Sequence, residues 1–135
     1  MKLLKFKWEG FTVLELLIIV LILGIMTAVA LPIYQANLTR AKEVEAESTL
    51  DTIRTFLKIY YAIHESYPVS QNYIQITNIS ELNISQEELN GQYYTADCYF
   101  YKCLKGTDYI LKSECEGLPV LRMNTVGTIL RAETE

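Results

Sequence analysis

The sequence has a single histidine, His64, and only three cysteines. It offers no Ser/His/Asp grouping, no glycine-rich loop of the kind that cradles phosphate and no paired-carboxylate motif. Nothing in it therefore supports an enzyme or calls for a cofactor. A four-ligand metal site fares no better, because only Cys98 and Cys103 come near ligand spacing and His64 is far from both. No run of Lys and Arg stands out in the body of the chain either. The first ten residues hold Lys2, Lys5, Lys7 and Glu9, a net of +2, so without them the formal charge moves from −4 to −6. That balance argues against specific nucleic-acid binding, which needs clustered cations to displace phosphate counterions.

Charge is missing altogether between Leu16 and Thr39, whereas the residues from Arg40 onward read as an ordinary globular mixture. With 135 residues, this is one domain plus at most a short appendage. Phe11 to Leu31 gives 21 residues, about 31 Å as a helix, which matches the hydrocarbon thickness of a bilayer. Three lysines precede it and no cation follows until Arg40, so the N-terminus is expected in the cytoplasm and the remainder outside the cytoplasmic membrane.

Three kinds of segment fit this pattern. A cleaved secretory signal has a basic start, an apolar stretch and a site such as Ala28-Val29-Ala30. Against it, cleavage after Ala30 would leave Leu31-Pro32 at the new terminus, and the apolar run exceeds a signal's 7–15 residues. A plain single-span anchor leaves Glu15 unexplained. A carboxylate one turn into an apolar helix costs on the order of 2–3 kcal/mol unless it snorkels to the headgroups or finds a cation. A cut between Gly10 and Phe11 would create an α-amino group four residues before Glu15, or offer one from an adjacent subunit. Pairing with that amine would offset the burial cost.

Gly10-Phe11-Thr12-Val13-Leu14-Glu15, following a short basic leader and opening an apolar run, resembles the processing site of type IV pilins and the related secretion pseudopilins. The resemblance implies cleavage after Gly10 by prepilin peptidase, N-methylation of Phe11, and a part for Glu15 in registering subunits. Gly24 and Pro32 fall where many pilins have a helix-weakening glycine and proline. Pro32 removes a hydrogen bond to the Ala28 carbonyl and Gly24 costs about 1 kcal/mol of helicity, so the helix between them is a segment able to melt partly in a filament.

Beyond Pro32, Ala46, Leu50, Ile53, Leu57 and Tyr60 form one apolar helical stripe, with Lys42, Glu43, Glu47, Asp51 and Arg54 on other faces. Pro68 stops the helix, and Glu65-Ser66-Tyr67-Pro68 resembles the end of many pilin helices without their glycine. His64 reads as a helix-end residue suited to the negative end of the dipole. Val69 to Tyr94 reads as polar and irregular, with a short helix from the capping box Ser85-Gln86-Glu87-Glu88 to Asn90-Gly91. The triplets Asn37-Leu38-Thr39, Asn78-Ile79-Ser80 and Asn83-Ile84-Ser85 match the N-glycosylation pattern and are taken as chance. Ten tyrosines are read as half-buried strand and interface residues.

Tyr99–Leu104 and Asp108–Lys112 are expected to form a hairpin around Gly106-Thr107. In that register Leu104 faces Tyr109, Phe100 faces Ser113, and Cys98 lies opposite Cys115 at disulfide distance. Cys103 would point to the other face as a free or intermolecular thiol. Leu118–Arg122 and Gly127–Arg131 add a second hairpin across Met123–Val126.

The expected architecture is α+β, the pilin fold, with a long N-terminal helix packed on a C-terminal antiparallel sheet of about four strands. Its parts are a leader at 1–10, a transmembrane and filament-core half-helix at 11–31, an amphipathic half-helix at 32–67, and a head at 68–135. The resemblance implies a filament subunit that partners copies of itself, the cytoplasmic membrane before assembly, prepilin peptidase and the assembly machinery, and that ends on the cell surface. A pseudopilin of a type II secretion system is the nearest alternative. Major secretion pseudopilins often carry a calcium-binding loop near the C-terminus that these residues do not assemble, which favours a pilus subunit. Secreted or anchored binding modules with an ordinary signal are the alternatives from another class. Motility, cell adhesion, DNA uptake and secretion are left open as filament roles.

Overall fold

The computed structural model describes residues 10–132. These divide into two compact units with the boundary between Asn37 and Leu38. Helix α1, Val13–His64, begins in the first unit and ends in the second. The basic leader residues Lys2, Lys5, Lys7 and Glu9 lie outside the described residues.

The second unit is built as the apolar stripe requires. Ala46, Leu50, Ile53 and Leu57 of α1 are fully buried, with Tyr60 packed at the margin of the same core. The helix stops where Glu65 turns to a left-handed φ of 57°, so Glu65 itself takes the conformation for which a glycine was missing. Its N–H still donates to the Tyr61 carbonyl at 2.8 Å. Two residues on, the Tyr67 N–H donates to the carbonyl of Gly106 at 2.9 Å, tying the helix exit to the loop of the central hairpin.

The sheet is an antiparallel meander of five strands in sequence order, one more than the four expected. They are β1 (Ser70–Gln75), β2 (Tyr99–Cys103), β3 (Tyr109–Ser113), β4 (Val120–Asn124) and β5 (Ile129–Ala132). Strand β1 falls in the stretch read as irregular. Its polar sequence Ser-Gln-Asn-Tyr-Ile-Gln lacks a strand's alternation, and the edge pairing with β2, broken by an irregularity between Ser70 and Ile74, imposes the conformation. Between β1 and β2 lies helix α2, Gln86–Leu89, with the expected capping box: Ser85 Oγ accepts from the Glu88 N–H, and Glu88 returns a bond to the Ser85 N–H.

The central hairpin differs from expectation by one residue. Cys103 faces Tyr109 and Tyr99 faces Ser113, leaving Leu104–Asp108 as the loop, with Gly106 at φ 71°. A one-residue slip exchanges the faces of a strand. The register found places Tyr99, Tyr101 and Cys103 with Tyr109, Leu111 and Ser113 on the buried side. Cys98 and Cys115 nonetheless form a disulfide, with Cα atoms 5.2 Å apart. They do so because Cys98 sits in the 3-10 turn Ala96–Cys98 just before β2, not on the ladder, and its carbonyl accepts from the Glu114 N–H at 2.8 Å. Alternation counted from Cys98 therefore fails for Cys103. That thiol is free but buried in the core, so it is closed to another chain. The second hairpin also lies about two residues later than expected. Its turn is set by Asn124, whose Oδ1 accepts the N–H groups of Gly127 and Thr128 at 3.0 and 2.8 Å, with Gly127 at φ 96°.

Four tyrosines, Tyr94, Tyr99, Tyr101 and Tyr109, are fully buried instead of half-buried. The core is laid between the α1 stripe and the inner face of the sheet, closed at one side by Ile76, Ile79, Leu82 and Leu89 of the connecting segment. Tyr94 and Tyr101 keep their hydroxyls satisfied by donating at 2.6 Å to the carbonyls of Pro119 and Pro68. Burial pushes the Tyr94 and Tyr109 hydroxyls up to about 12, so they stay neutral at any physiological pH.

Candidate assembly site

The residues expected to take part in processing and assembly, Gly10, Phe11 and Glu15, lie among the described residues of the first unit. Gly10, Phe11 and Thr12 precede α1, and the Thr12 hydroxyl accepts the Glu15 N–H at 3.2 Å, satisfying one of the helix's free donors. Glu15 occupies the first turn, where a carboxylate is favoured by the helix dipole. Its side chain is exposed, as are Phe11, Val13, Leu14 and the apolar residues that follow. From Leu16 to Tyr34 no side chain is buried by the chain itself. An exposed apolar surface of this extent marks an interaction site, and the stretch is long and apolar enough to cross a membrane.

Gly24 and Pro32 both lie inside α1, which continues unbroken through them. Neither is forced by the local fold. A Cβ built on Gly24 meets nothing within 4 Å, and the same holds at Gly10. The chain by itself therefore gives no steric reason for a glycine at either position.

The head is fastened by two charged residues whose partners lie far off in sequence, and these sequence reasoning missed. Glu45, on a polar face of α1, accepts the N–H groups of Gln92, Tyr93 and Tyr94 at 3.0, 2.8 and 2.8 Å. Burial opposes its ionisation, but those three donors outweigh it and hold the carboxyl below its ordinary value of 4.5. Arg54 makes a second such contact at the turn between β4 and β5, donating to the carbonyls of Thr125 and Val126 at 3.4 and 2.6 Å. Only the segment Asn90-Gly91 hinted at a turn there, and nothing pointed from it to Glu45.

The Glu45 clamp has a pH signature. A carboxyl with a lowered folded-state value contributes stability above its unfolded value, and loses it as pH falls through the folded one. Thermal melts should show the wild type weakening below about pH 4.5, with Glu45→Gln less stable at neutral pH and flatter in acid. Gly91→Ala should act through the same clamp, since a Cβ there would collide with the Glu45 carboxylate. The expected cost is about 1–2 kcal/mol, and an unchanged melting temperature would rule the clamp out.

An exposed apolar stretch, long and apolar enough to cross a membrane, continues in one helix into a stripe that packs on an antiparallel meander. The chain is 35% identical over 74 residues to a fimbrial protein of Neisseria meningitidis serogroup B, covering 55% of this chain and 44% of that one. It is 40% identical over 60 residues to type IV major pilin protein PilE1 of Neisseria gonorrhoeae, covering 44% and 36%. It is 26% identical over 109 residues to type II secretion system core protein G of Pectobacterium carotovorum, covering 78% and 67%. The matches span less than half the length of the fimbrial and major-pilin relatives. No family model and no solved structure matches. The relatives it resembles are thus fimbrial and major-pilin proteins and a core protein of a type II secretion system.

Proposed function

We propose that this chain is the structural subunit of a type IV pilus or a related filament and has no catalytic role. It enters the cytoplasmic membrane with its N-terminus inside, loses residues 1–10 to prepilin peptidase after Gly10, and is N-methylated at Phe11. Residues 11–31 then leave the lipid for the filament core, with 32–67 carrying the head, 68–135, onto the cell surface. Glu15 pairs with the amine of a Phe11, its own or a neighbour's, as the helices bundle. The observation that carries this reading is an apolar half-helix with no burial of its own, headed by a carboxylate one turn past a Gly-Phe junction.

Mass spectrometry of the N-terminal peptide from the membrane-extracted native protein is the test. A peptide starting at Phe11, heavier by one methyl group, is expected. A start at Leu31 would mean an ordinary signal peptide and a start at Met1 a plain anchor, and either would end the filament reading. A pseudopilin role is the second reading, favoured by the match to core protein G, which covers the largest share of the chain among these relatives. Surface filaments in electron micrographs, lost on deletion of the gene with secretion intact, would decide for the pilus.

A further inference from the structure

Charge is segregated within the head. From Ile59 to Tyr101 there is no Lys or Arg, while Glu65, Glu81, Glu87, Glu88 and Asp97 fall in that stretch. Lys102, Lys105, Lys112 and Arg122 all come later, and the meander gathers three of them on one surface. On the side of the sheet facing away from the core, one cross-strand row runs Phe100, Lys112, Arg122, Leu130, and the next runs Lys102, Ile110, Asn124.

Lys112 stands directly opposite Arg122, an arrangement of like charges that destabilises a sheet unless an anion is near. Glu114 pairs with Lys112. Among the described residues, Lys102 and Arg122 form no ion pair. Lys102 and Lys112 also both sit over the ring of Tyr73, at 5.5 and 5.6 Å, which draws the cations to one spot. Around them Tyr73, Ile110 and Leu130 remain exposed. This is a cationic, partly apolar face on a head whose connecting segment is wholly acidic. Glu81 and Glu87 of that segment are exposed and, among the described residues, have no cationic partner.

We propose that the outer face of the sheet docks on the acidic segment 81–88 of a second copy of this chain. The inference rests on the filament reading. Two different patches on one molecule, complementary to each other, make a heterologous contact, and such a contact repeated without closure generates a helical filament. Opposite potentials steer the encounter and fix its register, while Tyr73, Ile110 and Leu130 supply apolar area.

Charge reversal in the full chain, expressed in its own host, tests the docking. Lys102→Glu with Arg122→Glu, and separately Glu81→Lys with Glu87→Lys, should each lower sedimentable filament at least tenfold. The four changes together should restore it to within about threefold of wild type. A photo-crosslinking residue at position 122 should capture a peptide containing 81–88 from another copy. Retained disulfide and melting temperature in each variant would show that the heads fold. Normal assembly in both reversed pairs, no rescue in the combination, or a crosslink elsewhere would overturn the docking. So would normal assembly coupled with lost binding of a single-stranded DNA probe, which would assign the face to a polyanion. Failure of the filament reading is separable: wild type would then yield no sedimentable filament, and the crosslink between copies would still decide the contact.

Discussion

Glu15→Ala is expected to remove the chain from filaments almost completely while leaving its cleavage and membrane insertion intact. The carboxylate sits in the first turn of a helix whose next apolar residues are all exposed. Assembly would transfer that helix from lipid into a bundle of copies, carrying with it the amine of the cut Phe11. Breaking a buried ion pair by deleting one partner costs about 3–5 kcal/mol, because the surviving charge is left unpaired. At about 1.4 kcal/mol per tenfold, incorporation beside wild type should fall by roughly two to three orders of magnitude. Glu15→Gln should be nearly as severe, since it keeps the shape and loses the charge. The measurement is the ratio of variant to wild-type subunit in sheared filaments from cells making both. Incorporation within threefold of wild type would dismiss the pairing.

Leu50→Ala should be among the more damaging single truncations in the head. Leu50 is fully buried at the middle of the α1 stripe, among Ala46, Ile53 and Leu57. Removing its isobutyl group forfeits the transfer energy and leaves a cavity, together about 2–5 kcal/mol. A domain of this size loses roughly 4–8 °C per kcal/mol, so the detergent-solubilised chain should melt roughly 8–40 °C lower. Val44, six residues earlier in the same helix but 58% exposed, is the control. Val44→Ala should stay within about 0.5 kcal/mol of wild type. Equal losses at both positions would mean that the stripe is not what binds helix to sheet.

Much of this architecture was legible because it rests on periodicity along one element. The stripe at Ala46, Leu50, Ile53 and Leu57 repeats with the helical turn, so its burial follows from spacing alone. The capping box at Ser85 and Glu88 is local and needs no distant partner. The disulfide was reached through a register that the structure does not have. Opposed strand positions would have joined Cys98 to Cys115, but a 3-10 turn ahead of β2 brings them together instead. Strand β1 could not be read, because its polar residues have no alternation and its hydrogen bonds are supplied by β2.

The sequence by itself determined the apolar half-helix, with Glu15 in its first turn, and the stripe that docks the sheet. Each is set by residue types within a few turns of one another. The tertiary structure alone decided the clamps of Glu45 on 92–94 and of Arg54 on 125–126, the closure of Cys103 in the core, and the meeting of Lys102, Lys112 and Arg122 on one face. Those depend on which strand lies beside which and on a register that one loop residue can shift. Such pairings are long-range, and no periodicity along the chain encodes them.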